Sequence, residues 1–179
     1  MFNLQKKAMI VVYIIIGIIV AILLISLAMP SKYMVEKTTI IKSPPSTVVE
    51  YVANLNQYSA WNPWQQMEPA AKKTISGTPK TPGHKYEWEG KKIGVGSLTL
   101  NNIDNKHINF DLEFLKPWKS RAKDNWMLEP WGDGETKVTW QNNGELPWPM
   151  GRLMSPMINK NLNQQFEKGL GNLKKVCEG

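Results

Sequence analysis

The stretch from Ser155 to Val176 limits the fold more than any other. Met154, Ile158, Leu162, Phe166, Leu170 and Leu173 recur at steps of four and three, which lays one apolar stripe along a single helical face. Asn159, Lys160, Asn163, Gln164, Glu167, Lys168 and Lys174 fall mainly off that stripe. Ser155 followed by Pro156 reads as an N-cap with proline at the first helical position, where its missing N–H costs nothing. Such a helix is about 30 Å long at 1.5 Å per residue. The sequence before it supplies strands, so a curved sheet must cover the stripe. Gly169 and Gly171 each cost about 1 kcal/mol against alanine in a helix. They signal either close packing on the sheet or room left for a ligand.

The strands are read from β-branched and aromatic runs broken by turn residues. Tyr33 to Lys42 is the first. Ser43-Pro44-Pro45 ends it and opens a short helix to about Asn54, followed by a second short turn or helix from Gln57 to Trp64 that ends at Asn62-Pro63. Six further strands follow: Lys72–Thr78, His84–Glu89, Gly94–Asn102, His107–Phe114, Ala122–Glu129 and Thr136–Asn143. Asp104-Asn105-Lys106, Lys116-Pro117 and Gly132-Asp133-Gly134 punctuate them. Ile108, Phe110, Leu112 and Phe114 alternate with Asn109, Asp111 and Glu113, and Trp126, Leu128, Val138 and Trp140 continue the pattern. Strict alternation means one dry face and one wet face. The expected fold is α+β: an antiparallel curved sheet of about seven strands gripping a long C-terminal helix, with two short helices after the first strand.

Ala8 to Met29 contains no Asp, Glu, Lys or Arg. About 22 residues make a helix of about 33 Å, enough to cross a hydrocarbon core of about 30 Å. About fourteen Ile, Leu and Val at roughly −0.3 to −0.6 kcal/mol each favour insertion. The expected organisation is a basic tail over 1–7, a transmembrane helix over 8–29 and a folded domain over 30–179. Ser26-Leu27-Ala28 resembles a signal-peptidase site, which is the competing reading, but the apolar run exceeds the usual 7–15 residues of a signal core. Lys6 and Lys7 precede the run while Lys32, Lys37 and Lys42 follow it, so the charge count leaves orientation open. The short basic tail favours a single-pass protein with the domain on the extracytoplasmic side.

The chain's 22 basic and 15 acidic residues, less Lys6 and Lys7, leave a net charge of +5 beyond the apolar run. No run reaches five like charges, which argues against nucleic acid as a partner. Lysine pairs such as Lys72-Lys73 and Lys91-Lys92 fit solvated faces or attraction to anionic lipid headgroups. Cys177 is the only cysteine, so no intrachain disulfide and no cysteine metal cluster can form. Oligomeric state is left open.

Several motifs together carry a family resemblance. Trp61-Asn-Pro-Trp64 follows the small helices, and Tyr86-Glu-Trp88-Glu-Gly90 and Gly94-Val-Gly96-Ser lie on early strands. Thr136-Lys-Val138-Thr-Trp140 lies on the last strand and Phe166 to Lys174 on the final helix. In this order they resemble the START-like, helix-grip superfamily of SRPBCC type, in particular the branch called polyketide cyclase/dehydrase and lipid transport. The resemblance covers about Tyr33 to Glu178. It implies an apolar cavity between sheet and long helix; some members bind lipids or other hydrophobic molecules and a few catalyse cyclisation.

Chemistry-bearing constellations are scarce. Gly94-x-Gly96 lacks the third glycine and the following helix of a dinucleotide site, so it reads as a bulge or a close-approach strand. His84 and His107 sit among turn residues at strand starts and read as surface histidines; no spacing supports zinc. There is no G-x-S-x-G elbow for a nucleophilic serine. Asp111 and Glu113 occupy the wet register, whereas Asp124 shares the register of Trp126 and Leu128 and points inward unless its strand end is exposed. Of the eight tryptophans, Trp88, Trp126 and Trp140 lie in inward registers, and Trp61, Trp64 and Trp148 lie around the helices. Core packing and cavity lining would put them in the same places. The expected cavity wall is Tyr86, Trp88, Leu98, Phe110, Trp126, Trp140, Leu162 and Phe166, with Asp124 as a polar group. No catalytic residue, metal or cofactor is assigned. The expected function is binding of a hydrophobic or amphipathic small molecule or lipid by a domain held at the bilayer. The alternatives are a cyclase- or hydrolase-like enzyme of the same superfamily, or an interaction module whose core fills the cavity.

If the apolar run is retained, the protein stays in the membrane fraction through high-salt and alkaline carbonate washing. Recovery of a soluble species beginning near Met29 would show a cleaved signal peptide instead.

Overall fold

The computed structural model describes residues 2–179, with side chains from residue 6 onward. Met1, part of the expected tail, lies outside the described residues. Helix α1 spans Phe2–Ala28, so it takes in most of that tail. Lys6–Ala28 is long and apolar enough to cross a membrane, and its most apolar stretch is unburied by the rest of the chain, a composition that anchors and signal sequences share.

Strand β1 (Lys32–Ile41) leads into α2 (Pro45–Ala53), α3 (Tyr58–Trp61) and α4 (Pro63–Met67). Strands β2 (Lys72–Ser76), β3 (Lys85–Glu89), β4 (Val95–Ile103), β5 (His107–Lys116), β6 (Ser120–Trp131) and β7 (Glu135–Glu145) follow. Then come α5 (Met150–Leu153) and α6 (Ser155–Glu178). The second expected short helix is thus divided in two. Asn62-Pro63 ends α3, as expected, and also starts a further helix: the Asn62 side chain accepts the Trp64 N–H at 2.9 Å, and proline takes the first turn of α4.

All seven strands are antiparallel neighbours in one sheet, in the order β1-β7-β6-β5-β4-β3-β2. The meander β2 to β7 is the local arrangement expected of hairpin-connected strands. Strand β1 adds outside β7, carried there by the three small helices. A bulge between Val95 and Gly96 bends β4, and a Cβ on Gly96 would lie 2.5 Å from the Trp88 ring, so that ring occupies the glycine's side of the sheet.

The inward registers of β6 and β7 supply the centre of the core. Trp126 and Trp140 are cross-strand partners and stack with ring centroids 4.5 Å apart. Trp140 stacks in turn on Phe166 of α6 at 3.8 Å, and Trp61 of α3 meets both indoles edge-on at 5.5 and 5.6 Å. Phe166, Leu170, Leu173 and Cys177 bury the C-terminal half of the α6 stripe, while Met154, Ile158 and Leu162 of the other half are only partly buried. Ser155 does not cap α6. Its side chain makes no cap bond because α5 runs almost directly into α6, and the Ile158 N–H already reaches the Met154 carbonyl at 2.9 Å. The far end of α6 is pinned to β1: Lys42 N–H donates to Glu178 at 2.7 Å and Ser43 Oγ donates to the Cys177 carbonyl at 2.6 Å.

The histidines divide. His107 is exposed beside Asp104. His84 is fully buried, against the surface position expected for it. Its Nε2 accepts the Leu55 N–H at 3.0 Å, which leaves the ring proton on Nδ1 to donate to the Ser76 carbonyl at 3.0 Å. It therefore ties the loop after α2 to the end of β2, and its turn-rich sequence neighbours concealed that role.

The two helix glycines have opposite surroundings. A Cβ on Gly169 would lie 2.7 Å from the Trp140 ring, whereas one on Gly171 would meet nothing within 4 Å. Gly171 is exposed, so only Gly169 thins the helix where it faces the sheet, and the tryptophan fills that space. Gly171→Ala should raise stability by about 1 kcal/mol through helix propensity. Gly169→Ala should lower it, because overpacking costs about 1–3 kcal/mol and the stacked Trp140 cannot retreat. Denaturant midpoints of the two variants test this; equal shifts of the same sign would refute the packing.

Candidate functional site

The strand register gives the sheet two ends. Lys32, Glu145, Ser120, Lys116 and Val95 lie at one, next to the end of α1; Ile41, Thr136 and Trp131 lie at the other. Between the concave face and the N-terminal half of α6 is a cavity of about 100 Å³. Its deep wall is made by Tyr58, Tyr86, Leu98, Trp140 and Phe166, all buried. Its other wall, towards the α1 end, is made by Trp88, Ile93, Leu112, Phe114 and Leu162, all half-buried. The gradient of exposure marks the mouth.

Asp124 is the only charged side chain lining this cavity among the described residues. It is buried in β6 and held by donors from its own strand and the next. Trp140 Nε1 and Asn142 Nδ2 donate to its Oδ1 at 2.8 and 3.0 Å, and Trp126 Nε1 donates to its Oδ2 at 3.0 Å. Tyr33 extends the network by donating to Asn142 Oδ1 at 2.8 Å. Burial pushes the Asp124 carboxyl up to about 6, against the pull of three N–H donors that favour the carboxylate. Burial also raises Tyr58 well above the ordinary phenol range, with the negative charge of Asp124 adding to the effect, and raises Tyr86. The phenols are therefore neutral donors at physiological pH. Tyr86 donates to Gln65 Oε1 at 2.5 Å. Among the described residues no group of three His, Cys, Asp or Glu side chains is placed to hold a metal.

Of the residues singled out from sequence, Tyr86, Trp88, Leu98, Trp140, Leu162, Phe166 and Asp124 line the cavity. Phe110 and Trp126 do not. Phe110 pairs with Asp124 across the strands, Trp126 lies two pairs farther from the mouth, and Trp61 packs edge-on against Trp126, so these rings go into core packing at that level. Asn142, Leu112 and Phe114 were overlooked although each follows the inward register of a residue already chosen. Tyr58, Trp64 and Gln65 had no such signal, since they stand on α3 and α4, whose position over the sheet is not written in local pattern. A second, more open groove of about 1060 Å³ lies at the α1 end and is bordered by Lys32, Lys119, Arg121 and Arg152 together with Asp111, Glu113 and Glu145.

These features define a helix-grip protein with an internal apolar cavity. The chain belongs to the family described as polyketide cyclase / dehydrase and lipid transport, which it matches over residues 33–178. No curated protein matches it in sequence. Among solved structures it is similar to protein CV1439 from Chromobacterium violaceum, at 14% identity and a TM-score of 0.59 over 84% of this chain and 99% of that one. It is also similar to CalU16 from Micromonospora echinospora, at 10% identity and a TM-score of 0.55 over 80% and 73% of the two chains. Truncated norcoclaurine synthase from Thalictrum flavum shares 10% identity and a TM-score of 0.60 over 81% and 92%. At these identities the likeness is one of fold.

Asp124 gives the site a pH signature. Its folded pKa lies above the unfolded value of 3.8, so its contribution to stability is complete below about pH 4 and is lost as pH rises through about 6. About two units correspond to about 3 kcal/mol, or roughly 6–12 °C in thermal midpoint for a chain of this size. The midpoint advantage of the natural protein over Asp124→Asn should shrink by that amount between pH 4 and pH 7.5. An advantage independent of pH would refute the buried carboxyl.

Proposed function

We propose that this protein is a membrane-anchored binding module for a hydrophobic or amphipathic small molecule or lipid, held between the sheet and α6. The single observation that carries the reading is the one-ended apolar cavity with Asp124 as its only charged wall residue among the described residues. Family membership supports a ligand-binding fold, and the apolar helix α1 supports attachment to a bilayer.

The cavity volume limits what can bind. About 100 Å³ lies below the roughly 300–1,000 Å³ of drug-sized ligand sites, and below the about 150 Å³ apolar cavity that takes up benzene. The ligand must therefore enter end-first or widen the mouth. Leu112, Phe114 and Leu162 can turn outward at the mouth without breaking a side-chain hydrogen bond, because they have none. The deep wall is fixed by stacking and by the Asp124 network. A ligand end reaching it would meet aromatic faces and one hydrogen-bonded carboxyl.

Binding fits the arrangement better than catalysis. Both Asp124 oxygens are already engaged by N–H donors, and no serine or cysteine nucleophile lines the cavity among the described residues. The domain on the extracytoplasmic side of a single-pass chain remains part of this reading.

Native mass spectrometry of the detergent-extracted full chain should show a co-purified apolar molecule. Titration with fluorescent fatty acids, phospholipids and flat polycyclic compounds should show saturable binding that changes tryptophan emission. Leu112→Trp, which fills the mouth, should weaken that binding at least tenfold while retaining the thermal midpoint. Absence of binding in all three classes, with no co-purified molecule, would favour a module with a closed core.

A further inference from the structure

Outside α1, the large apolar side chains left exposed are unevenly distributed. Leu115 (52% exposed), Trp118 (39%), Trp148 (51%), Met150 (57%) and Met157 (59%) all lie at the α1 end, at the end of β5, in the β5–β6 connection, the β7–α5 loop, α5 and the first turn of α6. Ile40 and Trp131 are exposed at the far end, Met67 is exposed at the end of α4, and Met34 is exposed on β1. Scattered single apolars on a surface need no explanation, but five gathered at one end do.

The chain itself fixes what lies opposite this rim. Helix α1 ends at Ala28 and β1 begins at Lys32, with Leu146 N–H donating to the Ser31 carbonyl between them at 2.8 Å. The last turns of α1 pack against α5, and Ser26 is fully buried. Any plane that cuts α1 near Ala28 therefore passes close to α5 and Met150. Charge agrees with the geometry. Lys116 and Lys119 flank Trp118, and with Lys32 they are exposed and make no ion pair among the described residues. Arg152, on α5, is half-buried and borders the open groove at this same end. Indole rings beside lysines suit the headgroup region of an anionic leaflet.

We propose that this rim is a bilayer-docking surface: it seats in the anionic headgroup layer and holds the cavity mouth, at Ile93, Phe114 and Leu162, against lipid. The inference rests on α1 lying in the membrane and is independent of which ligand the cavity takes. An apolar molecule would then pass between bilayer and cavity without crossing bulk water.

The test uses the full chain with Cys177→Ser and a single spin label, at Leu115→Cys on the rim or at Trp131→Cys at the far end. Vesicles are of phosphatidylcholine alone or with phosphatidylglycerol. Circular dichroism and thermal midpoints verify that each variant folds. With phosphatidylglycerol, the rim label should be several-fold less accessible to a water-soluble nickel complex than the far-end label, and more accessible to oxygen. Lys116→Glu with Lys119→Glu should return it towards aqueous values. Equal aqueous exposure of both labels, in a chain that floats with the vesicles and resists carbonate, overturns the docking alone. Failure to float overturns the anchor as well. A rim label shielded from both reagents, with dipolar broadening removed by dilution with unlabelled chain, would assign the rim to a second copy and overturn the proposal.

Discussion

The indole N–H groups of Trp126 and Trp140 both end on Asp124, and the face of Trp140 ends on Phe166. One buried carboxyl thus fixes two rings of the sheet, and one of those rings fixes the helix. Indoles need an acceptor when buried, since an unmade bond costs about 1–3 kcal/mol. Asp124 supplies two of them at once, with Asn142 completing the set. In exchange the fold carries a carboxyl held above its ordinary range by burial. Gly169 belongs to the same unit, because only a residue without Cβ lets α6 come this close to Trp140.

That unit also sets where the interior stops being solid. On its far side Trp61, Trp126 and the buried aliphatics of α2 pack into one buried cluster. On the side towards α1 the α6 stripe continues as Leu162, Ile158 and Met154, which are only partly covered. The helix therefore lids the sheet tightly at one end and loosely at the other. The cavity occupies the loose end. A tight end and a loose end on one rigid helix give a binding site with a fixed floor and an adaptable mouth.

The proposed function and the docking rim draw on this polarity from opposite directions. The cavity opens where the lid is loose, and the anchor joins the domain at that same end. Nothing in the packing of the core requires the two to coincide. Placing the mouth at the membrane shortens the aqueous path of an apolar ligand, whose exposure to water costs about 25 cal/mol for each Å².

Much of the architecture was legible in the sequence because it follows from period. β-Branched and aromatic runs broken by turn residues located all seven strands to within a few residues, alternation gave the inward faces of the last three, and the four-and-three spacing located α6. The inward register of Asp124 followed from Trp126 and Leu128, while its burial depended on whether the strand end is covered, which the structure decides. Local pattern could not say that β1 closes the sheet beside β7, because that pairing joins residues about a hundred positions apart. Nor could it place Tyr58, Trp64 and Gln65 over the cavity, since short helices pack where the sheet's curvature leaves room. Trp126 and Phe110 looked the same as Trp140 in alternation and proved to be core, since alternation gives the face and not the depth along the strand. His84 looked like a turn residue and became a buried tie, since its partners, Leu55 and Ser76, meet it only after the chain has folded. The sequence by itself determined which side chains face inward and that an apolar helix precedes the domain. Only the tertiary structure decided which inward side chains fill space and which enclose it, because that depends on how far one helix stands from one curved sheet.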